Sequence, residues 1–350
     1  MKISLPTLLL IFCLLIPLAW AQAGDAPADR ISVHHEWGKL KEVVIGRGDS
    51  LIMPGYSEAV SFIYDPQYLD KMKKTGGIPA SKIEPELTKE VIAQIDNLAA
   101  VLTKHGVKVH RPRLLDQEQS RYLEYVQKGR MQLYARDPML VIGNNIIETA
   151  LKVPMRAKER FGLRPILHQR AVKSGANYVA MPPVEPGFPE NGIYIEGGDV
   201  LLNGYDIYVG NSTRASSKAG IQWLQKYLGP KYRLHEIKLD ANWEHLDCVM
   251  ALLKPGLGLL HKKGVKSKLP ESLKGWDWIE VTEAEARKLG ANALVLDDST
   301  CIMDTQHKRI IAEVRKRGHK VIEVPYDAVA TWGGAFRCSH HPLIRESVLK

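Results

Sequence analysis

The stretch "DVLLNGYDIYVG", residues 199–210, sets two apolar segments either side of an Asn-Gly pair. Apolar runs of strand length about a turn of Asn and Gly, residues that tolerate left-handed backbone, form a β-hairpin. Three other stretches have the same form: "MLVIGNNIIE" (139–148), "MALLKPGLGLLH" (250–261) and "ALVLDDSTCIMD" (293–304). A fifth, "KEVVIGRGDS" (41–50), is less regular. Several hairpins lead into a segment of helical period. In "PELTKEVIAQIDNLAAVLTKHG" (85–106), Leu87, Val91, Ile95, Leu98 and Leu102 fall on one helix face. "SSKAGIQWLQKYLG", "TQHKRIIAEVRKRG" and "RPILHQRAVKSG" take the same place in later units. Gly106, Gly229 and Gly318 stand where a helix C-terminus favours glycine. One more strand follows each helix: "VKVHRP", "NYVAMPP", "YRLHEI" and "HKVIEVPY". The order strand, strand, helix, strand therefore recurs about five times. Small α/β units of one kind can close round a central axis, which leaves few sheet edges exposed. This predicts one domain over residues 30–350, with 51–82, rich in Gly, Pro, Tyr and Lys, as a long surface loop.

The first residues are of another kind. "MKISLPTLLLIFCLLIPLAWA" (1–21) has a basic start, a short apolar run broken by Pro6 and Pro17, and an Ala-Trp-Ala end. Those are the marks of a secretory signal peptide, so the protein is expected to be exported, periplasmic or secreted. No later segment is long and apolar enough to span a bilayer, and no membrane contact is expected after cleavage. The chain has 350 residues and a net charge of +9. Its lysines and arginines are spread along solvated helix faces, not clustered with aromatics, which argues against nucleic acid as a partner. A basic balance of this size also attracts acidic small molecules. The sequence leaves room for a homodimer.

Without Cys13, three cysteines remain. Cys248 in "LDCVMALL" and Cys301 in "STCIMD" read as small buried apolar residues, although a disulfide between them is open. Cys338 differs. In "TWGGAFRCSHHP" (331–342) it follows a Gly-Gly turn, stands beside Arg337 and precedes His340 and His341. Cationic neighbours of that kind are expected to favour a thiolate. Other polar residues recur at matching places in the units. Asp137 precedes "MLVIG", Glu196 and Asp199 begin "DVLLNG", and His245 and Asp247 precede "VMALL". In a closed ring these strand ends would meet at the axis.

The set has a chemistry. Cys338 is the candidate nucleophile, His245 the acid/base and Glu196 the carboxylate that orients the imidazole. Asp137 and Asp247 would raise the thiol pKa unless the substrate brings a cation. A planar guanidinium gripped by paired carboxylates fits that requirement. Asp199 reads equally well as a turn residue. No metal or cofactor is implied: there is no Cys-x-x-Cys or His-x-x-x-His spacing, no phosphate loop and no dinucleotide fingerprint. The expected partner is a small guanidino compound.

Over nearly all of the chain after the apolar run, the sequence resembles the guanidino-group-modifying superfamily of arginine deiminase, dimethylarginine hydrolase and glycine amidinotransferase. "HEWGKLKEVVIGR", "IGNNIIETALKVPMR" and "GIQWLQKYLGPKYRLHEI" carry the resemblance, and they look closest to glycine amidinotransferase. The resemblance implies a five-bladed pseudo-symmetric α/β propeller of ββαβ units. It also implies Cys338 in "GGAFRC" as nucleophile, His245 in "HLD" as acid/base and Glu196 in "EGGD" as the third member. Asp137 in "ARDP" and Asp247 would bind the guanidinium. The implied chemistry is a covalent amidino-cysteine, resolved by water or by an acceptor amine. "EGGD" has the hydrolase form, where amidinotransferases usually carry Asp-Ala-Ala-Asp. Their arginine after the His motif falls near Gly264, and their paired serines at Glu285 and Ala286. Arg156 and Arg214 sit where arginine deiminases hold the substrate carboxylate. Against the deiminase stands the lack of that family's extra helical insertion. The expectation is hydrolysis of arginine or a close analogue to citrulline and ammonia. The alternatives are amidino transfer from arginine to an amine, and a non-catalytic module that binds a cationic side chain.

Overall fold

The computed structural model describes residues 30–346, so the apolar N-terminal run and its expected cleavage site lie outside the described residues. Five three-stranded sheets make up the fold. In the first, β1 (Leu40–Ile45) pairs in parallel with β2 (Lys108–His110). The second holds β3 (Met139–Ile142), β4 (Asn145–Glu148) and β5 (Asn177–Ala180). The third holds β6 (Val200–Asn203), β7 (Asp206–Asn211) and β8 (Arg233–Lys238). The fourth holds β9 (Met250–Lys254), β10 (Leu257–Leu260) and β11 (Asp277–Glu280). The fifth holds β12 (Leu294–Asp297), β13 (Thr300–Asp304) and β14 (Lys320–Val324). Each of the last four is an antiparallel hairpin with a parallel third strand, as the repeats predict. The first sheet is completed by the far end of the chain. Its strand β15 (His340–Arg345) pairs antiparallel with β1. This is why "KEVVIGRGDS" looked irregular: its hairpin partner lies some 300 residues away in sequence.

Contacts between successive sheets close the ring. β15 packs on β3, and Ala150 bridges to Ile195 between the second and third sheets. Leu239 bridges to Val265 between the third and fourth. The helix Lys308–Lys316 packs on β11, and β12 returns to β1. The result is a five-bladed α/β propeller, and its apolar core fills the spaces between blades. Leu201, Leu252 and Met303 of blades three, four and five share one cluster. Val44, Val141 and Ile207 of blades one, two and three share another. Val43, Leu98 and Ile302 join blades one and five.

The crossover helices lie at Pro85–Lys104, Arg160–Ser174, Lys218–Leu228 and Lys308–Lys316. Blade four departs from the repeat. Its crossover carries only the 3-10 turns Lys262–Gly264 and Glu271–Leu273. The intervening "KKGVKSKLPESLKGW" has Gly264, Pro270 and Gly275 and no apolar stripe, so nothing there drives a helix. The expected loop at 51–82 is also corrected in part. It contains a 3-10 turn, Glu58–Ile63, and two helices, Pro66–Thr75 and Ala80–Ile83. Asp65 caps the first helix by accepting from the Tyr68 amide, which the Gly and Pro content of the segment had masked.

Leu98 is fully buried between the long helix and blades one and five. Leu98→Ala is expected to cost about 2–5 kcal/mol of stability, read as a lower urea midpoint with unchanged slope.

Candidate active site

The residues singled out at the strand ends meet at the centre. Four of the five blades' first strands are preceded within three positions by Asp137, Asp199, Asp247 and Cys338. Short 3-10 or helical turns hold three of them: Gly197–Asp199, Leu246–Cys248 and Phe336–Ser339. All four side chains are buried. A cavity of about 240 Å³ opens on this centre, and Cys338, His245, Asp137 and Arg156 all contribute to its wall.

His245 Nε2 lies 3.0 Å from Glu196 Oε2, and its Nδ1 lies 4.0 Å from Asp137 Oδ1. The second Glu196 oxygen accepts from the Lys152 amide at 2.9 Å, which fixes the carboxylate against the ring. Burial acts to lower the His245 pKa, but Asp137, Glu196 and Glu244 outweigh it and hold the imidazole well above its ordinary value. The ring is therefore protonated near neutral pH. Gly198 explains the second glycine of "EGGD". A Cβ there would sit 2.7 Å from His245 Nδ1 and 2.9 Å from Asp137 Oδ1. Asp199 holds the frame: it accepts from the Ser216 and Leu246 amides at 3.1 and 2.9 Å. The turn reading of that residue is the one its contacts support.

Cys338 Sγ lies 3.8 Å from Asp247 Oδ2. Burial, then Asp247 and Asp137, push the thiol pKa well up. This overturns the expectation that Arg337, His340 and His341 make a thiolate. His340 Nδ1 faces the Phe336 carbonyl at 2.8 Å, and His341 Nε2 accepts from the Val141 amide at 3.0 Å. Burial and then Arg136 hold both imidazoles well below their ordinary value, so they are neutral. Arg337 is spent on carboxylates. It contacts Glu36 at 3.0 Å and Asp247 at 3.1 Å, and donates to the Val200 carbonyl at 2.6 Å. Residues adjacent in sequence point to different sides of the turn, which spacing alone does not reveal.

Asp137 takes Arg156 on one oxygen at 2.9 Å and the Gly198 amide on the other at 2.9 Å. Burial acts to raise its pKa, but Arg156 and His245 lower it overall. Asp247 is pushed up, by burial above all, despite Arg337. Arg156 is not assembled as a carboxylate clamp. Its guanidinium also makes a bidentate pair with buried Glu159, both contacts at 3.0 Å. Arg214, the other half of the expected clamp, is not among the residues lining the cavity; nor are Glu196 and Asp247, which meet the site through His245 and Cys338.

Sequence reasoning missed several wall residues. Tyr64 and Tyr68 come from the expected loop, Thr331 and Trp332 from the segment before Cys338, and Glu244 from beside His245. Tyr68, Thr331 and Trp332 also line an adjoining cavity of about 120 Å³. Burial, more than any charge, raises the Glu244 pKa. Glu196, Glu244 and His245 offer donor atoms within 4.8 Å of one another, the one such acid–imidazole cluster among the described residues. Two of those three already hold each other, so the cluster fits an oriented imidazole. Cys248 and Cys301 are free and buried, as their apolar surroundings suggest.

Comparison with known proteins places this geometry. The family model for eukaryotic N,N dimethylarginine dimethylhydrolase matches residues 70–345. The chain belongs to this family of guanidino-modifying enzymes. It is also 25% identical to mitochondrial glycine amidinotransferase of Danio rerio, over 92% of this chain and 85% of that protein. The structure of inosamine-phosphate amidinotransferase from Streptomyces griseus superposes with a TM-score of 0.78 at 25% identity, covering 91% of this family member and 98% of that chain. Dimethylarginine dimethylaminohydrolase from Pseudomonas aeruginosa shares the fold, with a TM-score of 0.58 at 17% identity over 87% of this chain and 99% of that one.

Burial acts to raise the Glu36 pKa, yet Arg337, with Arg136 and Arg345, holds it at about 2. Arg337→Met would leave both Glu36 and Asp247 without this partner. The expected loss is about 3–5 kcal/mol in chemical denaturation at neutral pH.

Proposed function

We propose that the enzyme opens a guanidino group by covalent catalysis at Cys338 and resolves the intermediate with water. The observation that carries this reading is the single cavity wall shared by Cys338, His245 and Asp137, with Asp247 against the sulfur. A cationic guanidinium set between Asp137 and Asp247 offsets the carboxylates that keep the sulfur protonated, so binding and activation coincide. Cys338 and His245 both line this cavity, so a guanidino carbon bound in it is open to the sulfur and its leaving nitrogen to the imidazole.

When the guanidinium binds, the Cys338 thiol releases its proton to solvent, because His245 is already protonated, and the thiolate forms a C–S bond to the guanidino carbon, giving a tetrahedral adduct. The protonated His245 gives its proton to the departing nitrogen, and the C–N bond breaks. An S-linked amidino group stays on Cys338. Water then attacks the same carbon, His245 takes one of its protons, the C–S bond breaks, and the water's second proton returns the departing sulfur to its thiol. Glu196 holds the imidazole for both transfers. Asp137 and Asp247 act as guanidinium-binding carboxylates, with Arg156 positioning Asp137. With arginine the products are citrulline and ammonia, and with N,N-dimethylarginine citrulline and dimethylamine. Membership of a dimethylhydrolase family favours water as the acceptor. The reading includes export, on the strength of the basic and apolar start of the chain.

Amidino transfer is the second reading. It is favoured by the adjoining cavity that shares Tyr68, Thr331 and Trp332, a place for an acceptor amine, and by the amidinotransferase relatives.

Incubation with arginine or N,N-dimethylarginine, with and without glycine or lysine, separates the two. Citrulline formed with no added amine supports hydrolysis. Ornithine released only when an amine is present overturns it in favour of transfer. Cys338→Ala should abolish either activity, by at least about 10⁴-fold, with the far-ultraviolet spectrum unchanged.

Glu196→Gln removes a carboxylate that helps keep His245 protonated. The alkaline limb of kcat/KM reflects loss of that proton, so it should move to lower pH in the variant. An unmoved limb would assign it to another group.

A further inference from the structure

Four blades place an acid or the sulfur just before their first strand. The fifth blade has its own residue at the matching place, and the site as described so far does not use it. Asn292 stands two positions before β12, as Asp137 stands two before β3 and Cys338 two before β15. It is buried. Its side chain is oriented from both ends. Oδ1 accepts from the Arg337 amide at 2.8 Å and the Cys338 amide at 3.4 Å. The Nδ2 group donates to the Asp247 carbonyl at 3.2 Å and to Cys338 Sγ at 3.3 Å.

These contacts leave no freedom to exchange the amide ends. Two backbone N–H groups require an acceptor at Oδ1, so the donor must face the sulfur. Among the described residues this is the only side-chain donor within hydrogen-bond reach of Sγ; the backbone of Ala335 also favours the anionic sulfur, and the oxygens of Asp247 oppose it. A carboxylate accepts only, and its charge opposes a thiolate. We propose that Asn292 is the residue that holds the Cys338 thiolate: it donates a hydrogen bond to the anionic sulfur, fixes it toward the cavity and offsets the adjacent Asp247. The inference deepens the covalent reading above and rests on it for its catalytic consequence.

The same amide also ties the nucleophile's turn to blade five, because its acceptor end takes the backbone of Arg337 and Cys338. A purely structural tie would need only that acceptor end. The donor end distinguishes the two roles. Asn292→Asp keeps the shape and both acceptor contacts, but it replaces the donor by an anion.

The test is alkylation of Cys338 by iodoacetamide across a pH series, read by mass spectrometry on the peptide containing Cys338. Cys338→Ala serves as the blank for Cys248 and Cys301. In Asn292→Ala the midpoint of the alkylation profile should rise by about one pH unit or more, since a hydrogen bond to a charged group is lost. In Asn292→Asp it should rise further. Turnover should fall roughly ten- to hundredfold in kcat, with KM nearly unchanged. The Asp variant retains the test if the Ala variant fails to fold. An alkylation profile that superimposes on the wild type in either folded variant overturns the proposal, as does a lowered melting temperature with an unmoved midpoint. Alkylation needs no turnover. If the midpoint moves while the wild type opens no guanidino substrate, the proposed function fails and the thiolate-holding role stands.

Discussion

The buried guanidinium of Arg337 is the contact on which the centre of the molecule depends. It sits one residue before the candidate nucleophile and binds Glu36 from the N-terminal segment, Asp247 from blade four and the Val200 carbonyl from blade three. Its amide is held by Asn292 from blade five. One residue therefore ties the turn that presents Cys338 to three other blades, two through its side chain and one through its amide, and to the segment before β1. An ion pair this deep gives little net stability over apolar packing, but removing one partner is costly, because the others cannot leave the core. That asymmetry makes the geometry rigid. The closing strand pair β1–β15 serves the same end, since it brings the last strand, and the sulfur just before it, into the first blade.

The site's electrostatics are unfavourable to its own nucleophile. Asp137 and Asp247 stand near a sulfur that burial already disfavours as an anion, and the nearby guanidinium groups, Arg156 and Arg337, are paired with these same two carboxylates and not with the sulfur. By themselves these groups oppose thiolate formation. In the proposed reaction a guanidinium substrate reverses the balance, because it brings a positive charge up to the sulfur itself. In that proposed reaction, selectivity for a cationic planar group and activation of the nucleophile then follow from the same pair of acids.

Blade pseudo-symmetry explains how so few residues can build the site. The segment just before the first strand of each unit, a short 3-10 or helical turn in three of them, brings one of these polar side chains per blade to the centre. What differs is the chemistry at each delivery point: sulfur, carboxylate or amide. The wall above this centre comes from segments outside the repeats, with Tyr64 and Tyr68 on one side and Trp332 on another. Hydrolysis and transfer can thus share one floor and differ in how the wall admits water or an amine.

Sequence by itself determined the unit and its repetition, because hairpin turns and helical stripes are local patterns with fixed periods. It also placed Asp137, Glu196, His245, Asp247 and Cys338 at equivalent points, since the repeat carries them. Tertiary structure decided what these groups face. The imidazoles of His340 and His341 lie three or fewer positions from Cys338, yet they turn to Phe336 and Val141. Arg156, read as a carboxylate clamp, is committed to Asp137 and Glu159. The direction of a side chain, the acid that claims an arginine and the pairing of β1 with a strand about 300 residues away are long-range facts. They are fixed by burial and by the requirement that every buried charge find a partner, and no local pattern encodes them.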